Sequence, residues 1–420
     1  MARMLVCLLV LVAACVFAAP AYADIMSVNI SPEISIVGAT REDTDYDSSV
    51  SDGLSSITTT VLIWMYIDHS PKVRTVLRLD AKGLTDSADK PLTLDRAYIE
   101  VKDFIAAGTT IAVGKVSLIW TVRTRIGAGA LQGIYTGAME RAFIFRNKPV
   151  AFQVKYAFSA TTAICAGWGK YAEGSIPGDN ANDTDVTYVK LDKKWNKTDS
   201  GFIGFIYYKD TKRMLKGDIW FVDLGLNLAL SEPLEVYLEA AHQNGIAHTA
   251  PDGFGALAAN GGFEYTFTSV SVRPYFGGGL TYFTGNSGTR LGFQRVRTNF
   301  NETLICENDY FNPNLAWSRT DPASTRYRSG FLGLKVYAGI KQLTEKIGLD
   351  FIAGFYTADG DVPGGKGRGL GVEIDLMAAY SYSADLSFGA GLGVFKPSSD
   401  LAGAATDPLW LFILGVNNRF

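Results

Sequence analysis

The feature that most constrains this chain is an alternation of apolar residues with glycine or polar residues. It recurs in segments of about 10 to 13 residues along most of the sequence. In one segment the apolar side carries Trp220, Val222, Leu224, Leu226, Leu228 and Leu230. The other side carries Asp223, Gly225 and Asn227. Successive side chains of an extended strand point to opposite faces, so this period of two predicts β-strands. After the N-terminal segment no apolar run approaches the roughly 18 to 20 residues of a membrane helix, so we predict an all-β chain.

The connections between these segments alternate between short and long. Short turns are predicted at 68–71, 104–108, 146–149, 196–200, 230–233, 268–271, 343–346 and 381–385. Longer loops are predicted at 38–55, 84–91, 118–135, 169–184, 210–216, 246–259, 285–329, 358–367 and 397–407. A soluble sandwich has no reason to sort its connections by length, whereas an outer-membrane barrel has short turns at one end and long loops at the other. This layout predicts a transmembrane antiparallel up-and-down β-barrel of 18 strands, with both termini at the short-turn end. Sixteen strands is the alternative.

Composition favours one large β domain over several soluble ones. The chain contains 44 Gly, 20 Tyr and 24 Phe, only 19% of its residues are charged, and it has no linker. A net charge of −3 gives no reason to expect nucleic acid as a partner. The glycine-rich stretches 277–279 and 389–393 lie inside alternating segments, so they do not predict phosphate-binding loops. We expect no cofactor and no metal.

The N terminus has the features of a secretory signal peptide. Arg3 precedes an apolar run too short for a membrane span, which ends at the small-x-small motif 21–23. We predict that residues 1–23 are removed by cleavage near Ala23, which leaves residues 24–420 as the barrel domain. A lipoprotein signal is the alternative, because the residues up to Cys15 resemble a lipobox.

Two cysteines remain after cleavage, Cys165 and Cys306. They are far apart in sequence and lack metal-type spacing, so they predict neither a disulfide-stapled small fold nor a zinc site. One alternative in an oxidising compartment is a disulfide between Cys165 and Cys306, and the other is two free thiols.

The last segment, PLWLFILGVNNRF, ends on an aromatic residue that shares the period of the strand. One face, apolar except at Asn418, carries Trp410, Phe412, Leu414, Val416, Asn418 and Phe420. We predict that this strand closes the barrel against the first strand, DIMSVNISPEISIV, with Phe420 where hydrocarbon meets headgroups. The segment also resembles the C-terminal strand by which Gram-negative outer-membrane proteins are recognised for assembly. We therefore predict that Phe420 is an assembly signal read by the barrel assembly machinery.

Residues 95–115, DRAYIEVKDFIAAGTTIAVGK, give the most specific local pattern. This hairpin resembles that of Gram-negative porins, which reads roughly as Arg, small, aromatic, apolar, Gly-Leu-Lys, then a short turn and a strand closing on Gly-Arg. Glu100 stands where that family has Gly, and Lys115 where it has Arg. The resemblance implies a passive diffusion channel for small polar solutes or ions and a homotrimeric assembly.

In that family the loop after this hairpin folds into the barrel and narrows the pore. The corresponding loop in this chain is VSLIWTVRTRIGAGALQGIYTGAM. Its glycines permit bending, and Ile119, Trp120 and Ile126 are able to pack against the inner wall. The alternatives are an ordinary external loop and a further strand through IWTVRTRI.

The parity of the third strand predicts which charges line the lumen. The residues predicted to face lipid are Val73, Thr75, Leu77 and Leu79, because the opposite parity would place cations in hydrocarbon at roughly 2 to 4 kcal/mol each near the midplane. By this argument and from the constriction loop, the predicted pore-lining residues are Arg74, Arg78, Arg96, Lys102, Lys115, Arg123 and Arg125. Fixed positive charge in a narrow passage predicts a preference for anions. The acidic first loop, REDTDYDSSVSD, opposes this preference at the mouth, although salt screens its reach.

Two other functions are compatible with a barrel. An outer-membrane enzyme of the omptin or lipase kind would use His242, His248 and Asp252 near one rim, but no nucleophile elbow lies nearby. A structural or adhesive barrel would usually be smaller and have a lumen filled by side chains. We predict a protein that is not an enzyme, in contact with outer-membrane lipid and lipopolysaccharide. For the arginine-rich loop 285–329 three alternatives are open: it covers the pore mouth, it holds lipopolysaccharide phosphates, or it is simply exposed.

Overall fold

The computed structural model describes residues 25–42, 54–82, 93–120, 145–172, 184–210, 217–247, 250–285, 293, 304–305, 330–361, 367–402 and 406–419. These ranges contain 20 strands and a helix, α1, at Ser399–Ala402. Among the described residues, no helix is long and apolar enough to cross a bilayer.

Eighteen of the strands form one sheet. Its first half consists of β1 (Ser27–Glu42), β2 (Leu54–Asp68), β3 (Val73–Lys82), β4 (Thr93–Lys102), β5 (Thr109–Lys115), β8 (Val150–Ser159), β9 (Thr162–Ala172), β10 (Thr184–Lys194) and β11 (Ser200–Asp210). Its second half consists of β12 (Gly217–Ala229), β13 (Leu234–Ala247), β14 (Ala250–Thr266), β15 (Pro274–Phe283), β16 (Phe331–Thr344), β17 (Ile347–Thr357), β18 (Gly369–Ser381), β19 (Leu386–Pro397) and β20 (Leu409–Arg419). The remaining two, β6 (Leu118–Trp120) and β7 (Phe145–Asn147), pair only with each other.

The sheet closes on itself. Each strand runs antiparallel to the next, and β20 pairs with β1 from Glu33 opposite Arg419 to Glu42 opposite Trp410. Closure leaves no strand edge with unpaired backbone groups, which is the condition for spanning lipid with strands. The predicted barrel of 18 strands and its closure by the last strand are confirmed.

Short connections lie at one end of the barrel. They comprise 69–72, 103–108, 160–161, 195–199, 230–233, 267–273, 345–346 and 382–385. Both described chain ends lie at this end, since Ser27 pairs with Asp68 and the Arg419 N–H donates to the carbonyl of Asp385 in the last short turn.

Two predicted connections were wrong. The short turn predicted at 146–149 is not a barrel turn, because β5 pairs directly with β8 and the true turn, 160–161, divides a segment predicted as one strand. These two errors offset each other, so the strand count was unaffected. The long loop predicted at 246–259 is largely strand, since only residues 248–249 separate β13 from β14. Gly253, a residue typical of turns, lies within β14. It has a φ of +66°, a left-handed conformation that glycine adopts at little cost.

The outside of the barrel carries a belt of exposed apolar side chains on almost every strand. Leu334, Val336, Ile374, Leu376 and Leu414 are each more than half exposed, and they alternate with buried neighbours. A continuous apolar surface of this kind is matched to lipid and not to water. The predicted outward parity of β3, β12, β16 and β20 agrees with this belt.

The inner face packs aromatic rings over glycines of neighbouring strands. An ideal Cβ on Gly339 would lie 2.6 Å from the Tyr275 hydroxyl oxygen, and one on Gly262 would lie 2.7 Å from that of Tyr237. These close approaches explain why glycine fills so many inward positions.

Candidate functional site: the inner wall

Four of the predicted cations share the inner face of β3 and β4. Arg74 lies opposite Glu100 and Arg78 opposite Arg96, and Lys102 has the same parity as Arg96. Their position follows from the pleat, because the alternating side chains of β3 at Leu77 and Leu79 face outward. The structure therefore brings Arg74, Arg78, Arg96 and Lys102 together on one part of the wall.

The centre of this basic wall is a cluster around Trp64 on β2. The guanidinium carbons of Arg78 and Arg96 lie 4.9 and 4.7 Å from the centre of the Trp64 ring, within the range of cation–π attraction. The Asp95 Oδ2 lies 3.2 Å from Arg78 Nε, and Lys148 also pairs with Asp95. A shift in register between Arg78 and Leu79 accompanies this arrangement, as expected for a bulge that re-aims a side chain. Sequence reasoning missed Asp95, although an acid directly before Arg96 was the available signal.

Arg74 and Lys102 lie nearer the short-turn end and are more open. Arg74 Nε donates to Asp68 Oδ1 at 2.6 Å, and its side chain is 39% exposed. Lys102 Nζ lies 4.0 Å from Glu100 Oε1, and its side chain is 50% exposed. Each exposed cation therefore has a carboxylate neighbour.

Lys115 lies apart from these cations. It pairs with Ala97 and Val150, which have outward parity, and its Nζ donates to the carbonyl of Leu94 at 2.5 Å. The reason is the pleat, because Lys115 directly follows Gly114, which lies opposite Tyr98 and so has inward parity. The structure thus does not group Lys115 with the inner-wall cations.

The loop that follows β5 begins by folding inward. Val116, Leu118 and Trp120 are each at most 3% exposed. The Trp120 ring lies against Gly204 of β11, with Tyr188 and Phe202 rings 6.3 and 6.4 Å away. The predicted packing of Trp120 on the inner wall is therefore observed, while Arg123, Arg125 and Ile126 lie outside the described residues.

A second loop also enters the barrel, which the sequence did not indicate. Within 285–329, the Phe293 ring lies edge-on to Phe221 and tilted against Phe283, with ring centres 6.0 and 5.8 Å apart. Leu304 and Ile305 are 3% and 0% exposed and contact β18. At its described points this loop is therefore neither a cover over the mouth nor simply exposed, and its arginines lie outside the described residues.

A set of buried carboxylates faces inward on the second half of the barrel. Each is at most 1% exposed: Asp223, Glu239, Asp350, Glu373 and Asp375. The Tyr275 hydroxyl donates to Asp350, and Glu373 and Asp375 accept backbone N–H groups of Ile305 and Leu304. The buried Lys335 Nζ donates to Thr281 nearby. The parity of Asp223, Glu373 and Asp375 was visible in the sequence, but their burial was not.

Of the two histidines proposed for an enzyme, the structure describes His242. His242 has the outward parity of Val222 and Leu257 and lies 5.5 Å from the ring of Trp220. His69 lies in the first short turn and hydrogen-bonds Thr75. His248 and the Asp252 side chain lie outside what the structure describes. In the described part of the chain, no group of three or more His, Cys, Asp or Glu is arranged to hold a metal ion.

Cys165 faces inward on β9, where the Gln153 amide nitrogen donates to its sulfur at 3.0 Å. It has no disulfide partner among the described residues. Cys306 lies outside them, so both alternatives, a disulfide and two free thiols, stay predictions.

A closed antiparallel barrel with an apolar belt outside, charged residues inside and loop segments in its lumen defines the class as a transmembrane β-barrel. No protein-family model matches the sequence, and a comparison with curated proteins found no match. Solved structures do match. OccK5 (OpdH) of Pseudomonas aeruginosa has a TM-score of 0.58 and 13% identity, over 94% of this chain and 98% of that one.

Two further solved structures are similar. The outer membrane protein OprD of Pseudomonas aeruginosa has a TM-score of 0.58 and 13% identity, over 96% of each chain. OccAB4 of Acinetobacter baumannii has a TM-score of 0.57 and 10% identity, over 95% of this chain and 99% of that one. At this identity the likeness establishes a shared fold, and it confirms at that level the resemblance to Gram-negative porins.

Proposed function

We propose that this protein is a porin of the Gram-negative outer membrane, a passive channel for small polar solutes with a preference for anions. The barrel, its apolar belt and its similarity in fold to OprD support the channel and its location. No bond chemistry or energy coupling is part of this function, since solutes move down their gradients through a polar lumen.

The observation that carries the anion preference is the cluster at Trp64. Three cations, Arg78, Arg96 and Lys148, surround one carboxylate, Asp95. Fixed charge near a narrow passage between low-dielectric walls acts on passing ions more strongly than charge spread over the surface. The carboxylates of the other half of the wall are at most 1% exposed, and Arg78 and Arg96 are also buried, at 2% and 8%. The inner-wall cations more open to lumen water are Arg74 and Lys102, whose side chains are 39% and 50% exposed.

The test is the zero-current potential across a planar bilayer in a KCl gradient. Wild type should favour chloride, and Arg74→Glu with Lys102→Glu should shift the permeability ratio toward potassium. A unit charge about 8 Å from an ion in water contributes about 0.5 kcal/mol, which screening at 0.1 M salt roughly halves. A local change of four charges therefore shifts the chloride-to-potassium ratio by on the order of tenfold.

The matched control reverses the same number of charges outside the lumen. Lys197→Glu with Lys346→Glu alters two exposed short-turn residues and should leave the ratio within about twofold. The pair Arg123→Glu with Arg125→Glu tests the loop after β5 in the same way. A cation-selective wild type would refute the charge assignment.

A structural barrel with an occluded lumen is the second candidate. Inner-face residues such as Phe221 and Phe331, together with Ile305, are 0% exposed, so part of the lumen is filled. Single-channel recording separates the two functions, because an occluded barrel produces no discrete conductance steps.

We also propose a homotrimer, and recognition of the last strand by the barrel assembly machinery. Both come from the resemblance to porins. Native mass spectrometry from mild detergent tests the first, and a monomer alone would refute it. Outer-membrane lipid and lipopolysaccharide are the proposed surroundings of the apolar belt.

A further inference from the structure

Two inward carboxylates of β18 hold two successive peptide groups of the loop between β15 and β16. The Ile305 N–H donates to Glu373 Oε1 at 2.6 Å, and the Leu304 N–H donates to Asp375 Oδ2 at 3.0 Å. Glu373 and Asp375 lie two positions apart and therefore point the same way. Backbone N–H donors bound to an ionised carboxylate form charge-assisted hydrogen bonds, which are stronger than neutral ones and stronger still away from water.

The neighbouring strand is shaped to receive the same two residues. Gly393 of β19 lies opposite Asp375. An ideal Cβ on Gly393 would lie 2.7 Å from Asp375 Oδ1 and 3.1 Å from both Leu304 Cβ and Ile305 Cδ1. Any larger residue at Gly393 would therefore displace the loop or the carboxylate. We call Glu373, Asp375 and Gly393 the loop seat.

The loop seat is not needed to hold the barrel together. The β18 and β19 strands are already joined by a continuous ladder from Gly371 opposite Pro397 to Ser381 opposite Ser387. A buried carboxylate is costly unless it is hydrogen-bonded, so two of them at most 1% exposed require a bound partner inside the lumen. Leu304 and Ile305 are among the partners that the structure provides.

We propose that Glu373, Asp375 and Gly393 are specificity-determining residues of the channel, because they fix the loop between β15 and β16 inside the barrel at Leu304 and Ile305, where it sets the upper size of the solutes admitted. This proposal rests on the proposed function as a channel. It concerns size and not charge, so neutral solutes report on it directly.

The test compares wild type with Glu373→Gln plus Asp375→Asn in liposome swelling with neutral sugars of increasing size. The seat variant should raise the swelling rate for a trisaccharide relative to a monosaccharide by at least threefold. Glu264→Gln plus Asp192→Asn is the matched control, since these two inner-wall acids pair with Lys341 and Lys190 instead. The control should stay within twofold of wild type.

Trypsin provides a readout that does not depend on transport. The loop 285–329 contains arginines at 290, 295, 297, 319, 326 and 328. Cleavage within this loop should be at least tenfold faster in the seat variant than in wild type or control. If the double variant fails to fold, Gly393→Val replaces it, because it fills the seat and leaves both carboxylates in place.

Faster cleavage with an unchanged sugar ratio would overturn the proposal. Absence of swelling in every form would refute the channel function, and this proposal with it, whatever the cleavage rates.

Discussion

Substituting Gly204 by alanine tests whether the loop after β5 is anchored on the inner wall. An ideal Cβ on Gly204 would lie 2.6 Å from Trp120 Cη2 and 2.9 Å from Cε3. Carbon atoms in contact are normally about 3.5 to 4.0 Å apart, so the ring must move by about 1 Å or more. Trp120 is only 3% exposed and lies between Tyr188 and Phe202, so it has little room to do so.

The size of the effect follows from how the ring responds. Forcing an extra methyl group into a packed site costs about 1 to 3 kcal/mol. Expelling the ring altogether sets the ceiling, at about 3 to 5 kcal/mol for the loss of a buried tryptophan. Gly204→Ala should therefore lower the free energy of unfolding by about 1 to 3 kcal/mol. Because the ring begins the loop, the variant should also broaden the distribution of single-channel conductances.

The assay is reversible urea unfolding in lipid vesicles, followed by the gel shift of the folded barrel. Gly38→Ala is the control, since an ideal Cβ there lies 3.9 Å from its nearest neighbour, the Leu414 carbonyl oxygen. It should change stability by no more than about 0.5 kcal/mol. A double-mutant cycle with Trp120→Ala isolates the contact, and its interaction energy should be at least about 1 kcal/mol. If Gly204→Ala costs the same with and without Trp120, the argument is wrong.

Three further outcomes are expected. Leu376→Arg, on the lipid-facing side of β18, should destabilise the folded barrel by about 2 to 4 kcal/mol in the same assay, and a change below about 0.5 kcal/mol would contradict the outward assignment. The pKa of Asp199, in the turn after β10, should lie below its ordinary 3.8, because the Ala229 N–H and the Asn196 amide donate to it. Its contribution to stability is therefore present above about pH 4 and is lost as the pH falls through the lowered pKa, which an NMR titration of the carboxyl carbon would show. Deleting Phe420 should reduce the heat-modifiable, assembled fraction in the outer membrane, and assembly at the wild-type yield would rule out its role as a signal.

The sequence by itself determined the barrel and the direction in which its side chains point. Alternation on β12, β16 and β20 is a local property, and lipid outside the barrel makes the wrong parity costly for charged side chains. The inward positions of Arg74, Arg78 and Arg96 followed from that cost alone.

Local signals failed where they were weak or ambiguous. Asn147 and Pro149 have turn chemistry, yet 145–147 belongs to the small sheet inside the barrel. The true turn at 160–161 is Ala-Thr, which has little turn preference, so β8 and β9 were predicted as one strand.

Only the tertiary structure decided what fills the lumen. The partners of Leu304 and Ile305 are 71 and 68 residues away in sequence, and Trp120 meets a glycine on β11. The two-residue alternation along a strand determines which face of the sheet a residue lies on, but it does not determine which loop contacts that residue. Such contacts depend on how a long loop folds back into the barrel lumen. The lumen exists only once β20 has paired with β1.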